Sequence, residues 1–321
     1  MPIIVNATSE HPCLPSLGSL SSITRDRALH QDIRPLEILI VNLMPEKITT
    51  ERQLAECLGR SPLQINLTFA ATDGYVTDAR NGKPSTNTPR EHIVDFYSSF
   101  REICDRKFDG LILTGMNARE STIPEEKIWP DVQKILDWST QNATSSLFLC
   151  WGAQAALKHF HDIDSIKSDS KLHGVFPHRR GDDPSGLLGD FPDEFLMPVS
   201  RWKRPDEEKI RANPDLHVVA SSDLAGSNII VENSLQNDGR LIKGRRIYVG
   251  SHPEYDDNTL QKEYDRDAEQ NPKAKVPYNY FPRDNPANRP TNNWRPTGNL
   301  YRNWAEQIYQ QTPYRRELIP G

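Results

Sequence analysis

Between residues 35 and 160, short apolar runs alternate with segments of helical spacing, and this alternation constrains the fold more than any other feature of the chain. "PLEILIVNL" (35–43), "LQINLTFAA" (63–71), "FDGLILTG" (108–115) and "SSLFLC" (145–150) have the length and composition of buried strands. Between them, "KITTERQLAECLGR" (47–60), "EHIVDFYSSFREICDR" (91–106) and "KIWPDVQKILDWSTQN" (127–142) read as helices. "SSLFLC" runs straight into "WGAQAALKHF", again helix-like. Strands alternating with helices predict an α/β fold: a doubly wound, mainly parallel sheet flanked by helices. "DGYVTDARNGKPSTNTP" (73–89) predicts a loop. After residue 160 the pattern loosens, leaving one clear strand in "GRRIYVGSHPEY" (244–255), a helix at 258–270 and another at about 298–311. The last helix lies in an aromatic, Pro- and Asn-rich C-terminal extension (271–321), a composition suited to packing rather than disorder. Residues 1–34, rich in Ser and Pro, read as an irregular N-terminal arm before a single α/β domain at 35–321.

Composition removes several function classes. Hydrophobic residues are 36% and charged residues 26% of the 321, as in a soluble globular chain. The formal net charge of −5 is spread without a basic stripe, which argues against a nucleic acid partner. No apolar run approaches the roughly 20 residues of a membrane span. "MPIIVNATSEHPCLP" lacks the basic region and apolar core of a signal peptide, so a cytoplasmic protein is expected. Cys13, Cys57, Cys104 and Cys150 lie far apart with no CxxC pair, so neither a disulfide framework nor a metal site is indicated.

Three predicted strand ends carry chemistry. Cys150 stands where a strand stops and a helix starts, in the positive end of the helix dipole, which favours a thiolate. His252 and Glu254 follow another strand in "GSHPEY", and Gly115 ends a third. In a parallel sheet these ends share one edge, where open α/β sheets place their sites. A Cys–His pair makes a nucleophile, with Glu254 holding the imidazole tautomer and backbone N–H groups after Cys150 and near Gly115 forming an oxyanion hole. A buried core cysteine and a simple His-Pro turn are the plain alternatives for the two motifs taken singly.

The residues carry a resemblance at this point. The chain resembles the homoserine O-succinyltransferase/O-acetyltransferase family, built on a class I glutamine-amidotransferase-like fold. The similarity runs in family order through "RPLEILIVNLMPEKITTE" (34–51), "NTPREHIVDFY" (87–97), "SSLFLCWGAQAAL" (145–157), "KLHGV" (171–175), "HPEYDDNTLQKEYDRD" (252–267) and "VPYNYFP" (276–282). It implies ping-pong acyl transfer in methionine biosynthesis, with acyl-CoA as co-substrate and no bound cofactor. Cys150 would carry the acyl group, His252 would move the proton, Glu254 would orient His252, and Trp151 would lend its N–H to the oxyanion. By position the resemblance also implies that Arg266 binds the amino acid carboxylate, that Lys171 and Ser200 contact substrate, and that Lys47 lies near the site. A homodimer is implied as well.

Where family members usually read TGAP, this chain reads "TGMNARES". The register puts Arg119 where glutamate accompanies acetyl transfer and glycine succinyl transfer, with Glu120 next to it. A bulky Arg119 or Glu120 would fill the acyl pocket and admit only acetyl, the reading favoured here. Alternatively the Arg119 guanidinium would pair with the distal carboxylate of a diacid such as succinyl. The loop at 73–89 and "PHRRGDDPSG" (177–186) also depart from the family and leave serine open as an acceptor. A glutamine amidotransferase is the more remote rival, but Phe148 stands where those enzymes carry the first glycine of G-x-C-x-G.

Overall fold

The run Leu36–Val41 forms β3, and β6 (Phe108–Leu113) pairs with it in parallel, Ile38 opposite Gly110. Both are buried on both faces, which explains why they read as continuous apolar runs rather than alternating ones. The structure is a computed structural model that describes residues 34–83, 87–236, 239–290 and 293–319, together with the backbone of β1 (Ile3–Val5) and β2 (Ser22–Thr24). Between β3 and β6 lie α1 (Lys47–Leu58), β4 (Ile65–Ala71), α2 (Asp73–Arg80), α3 (Arg90–Phe96), β5 (Ser98–Ser99) and α4 (Phe100–Ile103). Then come α5 (Trp129–Asn142), β7 (Ala143–Leu149), α6 (Trp151–His161), β8 (Ser165–Arg180), β9 (Glu194–Pro205) and α7 (Glu207–Ala212). The described chain continues through β10 (Leu216–Ser222), β11 (Gly226–Leu235), β12 (Leu241–Val249), α8 (Thr259–Gln270) and α9 (Asn299–Gln311).

Among the described residues the strands make one sheet in the order β2-β1-β4-β3-β6-β7-β12-β11-β10-β8-β9, with β5 pairing beside β4. From β2 to β12 the pairing is parallel. From β12 to β9 it is antiparallel. The predicted α/β class stands, and the parallel half is the part the sequence pattern predicted. The antiparallel half holds β8 to β11, which the pattern after residue 160 did not resolve. The reason is visible in β8, where "SIKSDSK" is largely polar and the buried residues, His173–Phe176 and His178, come only later.

Two further expectations change. The predicted loop at 73–89 begins with α2, in which Val76 and Ala79 are buried at helical spacing and Asp73 sits in the first turn. The predicted helix at 91–106 breaks at Tyr97, which is extended, and restarts at α4 under a capping box of Ser99 and Glu102. The side chain of Tyr97 reaches inward to Glu51 and Asn42, a tertiary demand that overrides helix continuity. The N-terminal arm falls outside the described residues except for β1, β2 and Arg34. The backbone of the two strands is not irregular: β1 pairs with β4, and β2 with β1. The triplet "IIV" has high strand propensity, which the polar composition of the surrounding arm hides.

The C-terminal helix α9 closes one face of the sheet. Leu300, Tyr301, Trp304, Ala305 and Ile308 repeat at helical spacing and are all buried. Trp304 lies so close over β6 that a Cβ on Gly110 would come within 2.8 Å of its ring. Its indole N–H donates to the Ser145 hydroxyl at 2.8 Å, so the buried polar atom is satisfied.

Candidate active site

Cys150 occupies the single residue between β7 and α6, with φ 50° and ψ −112°. A non-glycine residue at positive φ is strained, and such strain persists only where surrounding packing enforces it. Here the Cys150 N–H donates to the Val249 carbonyl at 2.7 Å, and the Cys150 carbonyl accepts from Ala153 and Gln154 at 3.1 and 3.2 Å. Gly152 lets the new helix press against β6, since a Cβ there would sit 2.7 Å from the Thr114 carbonyl oxygen. The turn therefore sets the sulfur at the start of α6, as a strand-to-helix nucleophile turn does. Trp151 holds the first helical position, where a backbone N–H has no intrahelical acceptor. A Cβ on Gly115 would lie 3.1 Å from the Cys150 Cβ and 3.5 Å from the Trp151 nitrogen. The structure thus brings Gly115, Cys150 and the Trp151 N–H together, as the strand-end argument requires.

His252 follows β12, the parallel neighbour of β7. Its backbone N–H donates to the Pro198 carbonyl at 2.9 Å, and its ring stacks on Tyr255 with centroids 4.1 Å apart. Nδ1 is 2.7 Å from Glu254 Oε1. The other carboxylate oxygen of Glu254 accepts from the Tyr301 hydroxyl at 2.7 Å. Burial works against a charged imidazole, but the charges of Cys150 and Glu254, and hydrogen bonds to both, hold His252 well above its ordinary value. A buried cysteine beside an imidazole, with the carboxylate behind it, can attack a carbonyl and shuttle a proton. Sequence reasoning missed Tyr301 and Tyr255. Tyr301 is buried on the apolar face of α9, and nothing in its local pattern separates it from a core tyrosine.

The residues expected to hold substrate converge beside His252 on a carboxylate that sequence reasoning also missed. Glu263, on α8, accepts from the Ser200 hydroxyl, from the Tyr255 hydroxyl at 2.9 Å and from Lys171 Nζ at 3.3 Å. His173 Nε2 lies 3.5 Å from the same carboxylate. Burial pushes the Glu263 carboxyl up, but Lys171, His173, Ser200 and His252 together hold it below its ordinary value. Lys171 also donates to Asp267 at 2.7 Å, and Asp267 accepts from Arg266 at 2.8 and 3.0 Å. Lys171, Ser200 and Arg266 are therefore members of one charged network. Arg266 is its open end, with 47% of its side chain exposed. The i, i+3 spacing of Glu263 and Arg266 on one helix was available in the sequence and would have pointed to Glu263.

Three expected residues stand apart from this cluster. Lys47 opens α1 beyond the end of β3, with Nζ donating to the carbonyls of Asn42 and Met44 at 2.6 and 3.1 Å. Its ammonium lies 4.6 Å from the Tyr75 ring centroid, and burial, offset in part by Glu51, pulls it down to about 8. Among the described residues it makes no hydrogen bond to the Cys150–His252–Glu254 set. Arg119 and Glu120 expose their side chains, while their backbone N–H groups donate to the buried Glu126 carboxylate at 2.8 and 2.9 Å. The Glu120 carbonyl accepts from Lys203 at 2.5 Å. This segment is thus shaped by Glu126 and Lys203 rather than by its own side chains.

Comparison with known proteins bears on the family and the fold. The model of the Homoserine O-succinyltransferase family matches residues 2–314. A Homoserine O-acetyltransferase of Thermotoga petrophila is 42% identical over 98% of this chain and 99% of its own length. One of Clostridium acetobutylicum is 42% identical over 90% of this chain and 91% of its own. Among solved structures, a glutamine amidotransferase of Thermotoga maritima is similar in fold, with a TM-score of 0.50 at 13% identity over 86% of this chain and 99% of that one.

Proposed function

The chain belongs to the homoserine O-succinyltransferase family, and from that premise we propose that it is an acyl-CoA-dependent homoserine O-acyltransferase working through a Cys150 thioester. The observation that carries the mechanism is the strained Cys150 turn, paired with an imidazole backed by Glu254 and Tyr301. In the first half-reaction the Cys150 sulfur attacks the thioester carbonyl, with Trp151 and Gly115 N–H groups facing the oxyanion. The coenzyme A sulfur leaves and takes the proton from the His252 imidazolium. In the second half-reaction the homoserine hydroxyl attacks the acyl-cysteine, gives its proton to His252, and the Cys150 thiolate departs. No resident cofactor enters either half. Such activation of the hydroxyl serves a later sulfur displacement, as methionine biosynthesis requires.

The acceptor side follows from the charged network. Glu263 is suited to an ammonium group and Arg266 to a planar carboxylate. The two are one helical turn apart, a spacing that fits an amino acid. Lys171, Ser200 and Asp267 hold the two in place. For the donor, acetyl is favoured, because the relatives at about 42% identity bear the acetyltransferase name. The exposure of Arg119 and Glu120 takes away the argument from their bulk. Homodimer formation and a cytoplasmic location belong to the same reading; no helix among the described residues is long and apolar enough to cross a membrane. The test is a matrix of acetyl-CoA or succinyl-CoA with homoserine or serine. The expected result is fastest turnover for acetyl-CoA with homoserine. Turnover confined to serine would replace the acceptor, and turnover confined to succinyl-CoA would replace the donor.

A further inference from the structure

Behind the nucleophile lies a buried cation that the mechanism above does not use. Arg201, on β9, is 5% exposed. One terminal nitrogen donates to the Gly250 carbonyl at 3.1 Å and the other to the Ala225 carbonyl at 2.5 Å. Its Nε–H is buried without a hydrogen-bond partner. Among the described residues no carboxylate forms an ion pair with it, although burying a guanidinium is costly unless an opposite charge answers it. Arg201 and Cys150 line the same small cavity of about 10 Å³, with Gln154, Asn228 and Gly250. The residue preceding it, Ser200, presents its carbonyl oxygen 3.9 Å from the Cys150 sulfur.

We propose that Arg201 is a positioning residue for the nucleophile, a second cation that acts across this cavity to keep the Cys150 sulfur anionic before the acyl donor arrives. His252 supplies the charge that also moves the proton. Arg201 supplies a fixed charge that does not. Burial lowers the guanidinium, and Cys150 is the largest charge that opposes this, ahead of Glu207. The other titratable groups facing the pair are His252, Glu254 and Tyr255 after β12, Glu207 on α7, Arg204 on β9 and His178 on β8. The arrangement explains why Gly250 stands at the end of β12: a Cβ there would lie 2.2 Å from the guanidinium and displace it.

The inference rests on Cys150 being the nucleophile, and the test separates the two claims. Alkylation of Cys150 by iodoacetamide, read by mass of the Cys150 peptide across pH, needs neither acyl donor nor acceptor. If wild-type Cys150 alkylates no faster than the buried Cys57, the nucleophile reading itself fails. If it alkylates faster, Arg201→Gln is expected to slow it about tenfold at pH 7 and to move the profile to higher pH, a shift of about one unit. Arg201→Lys, which keeps the charge, is expected to retain most of the rate. Gly250→Ala displaces the guanidinium without removing it and is expected to slow alkylation in the same direction. A folded Arg201→Gln with the wild-type profile overturns the proposal. Should that variant fail to fold, an unchanged profile in Gly250→Ala overturns it instead.

Discussion

The proposed nucleophile region and the proposed acceptor region meet at His252 but are built in opposite ways. The first hangs from parallel strands: Cys150 after β7, His252 after β12 and Gly115 near the end of β6. Its geometry is set by backbone, in the positive-φ turn at Cys150 and the 2.7 Å bond to Val249. The second spans the antiparallel half and α8, and its geometry is set by side chains that hold one another through Glu263 and Asp267. On the proposed reading, reactivity depends on a buried arrangement, whereas recognition depends on a network with one end open to solvent.

The comparison can be broken by substitution. The largest effect is expected for Cys150→Ser, a loss of acyl transfer of about 10⁴-fold or more with the fold intact by circular dichroism. Glu254→Gln should follow at about 10²–10⁴-fold in kcat, because the imidazole loses its tautomer and its charge partner. Acceptor-side changes should behave differently. Arg266→Ala and Glu263→Gln are each expected to raise the homoserine KM about 10- to 100-fold while leaving the first half-reaction with acyl-CoA near its wild-type rate. A parallel loss in that half-reaction would show that the two regions are not separable. Tyr301→Phe should be mildest of these, about tenfold or less in kcat, since it removes one hydrogen bond from Glu254.

Stability against pH sharpens the same contrast. Burial, reinforced by the charge of Lys171, lowers His173 to about 4, and burial lowers His178 to about 4 despite its bond to the Phe176 carbonyl. Both are neutral in the folded protein while their unfolded forms take up protons below about 6.5. Folding stability is therefore expected to fall between about pH 6.5 and pH 4.5 with a slope near two protons, as urea unfolding at several pH values would record. His252 works the other way: its raised value contributes stability fully below about pH 6.5, lost as the pH rises through the folded value. A flat curve between pH 6.5 and 4.5 would contradict the burial of the two histidines.

How much the sequence revealed follows the same division. The parallel strands are buried on both faces and announce themselves as apolar runs, so Cys150, His252, Glu254 and Gly115 could be set on one edge from pattern alone. Antiparallel strands β8 and β9 mix polar and apolar residues irregularly, and no period marks them. Lys171, Ser200 and Arg266 were legible only through family resemblance, and Glu263 was missed although it sits three residues before Arg266. Tyr301 could not be read locally, because its hydroxyl meets Glu254 across 47 residues of chain. Arg201 stands next to Ser200 in the sequence, but its burial beside Cys150 is a tertiary fact.

The most direct test of the account is the intact mass of the protein after mixing with acetyl-CoA in the absence of acceptor, followed by addition of homoserine. The account predicts one added acetyl group, mapped to Cys150, absent in Cys150→Ser and discharged when homoserine arrives. A protein that turns over acetyl-CoA and homoserine without ever carrying the acyl group on Cys150 would contradict it.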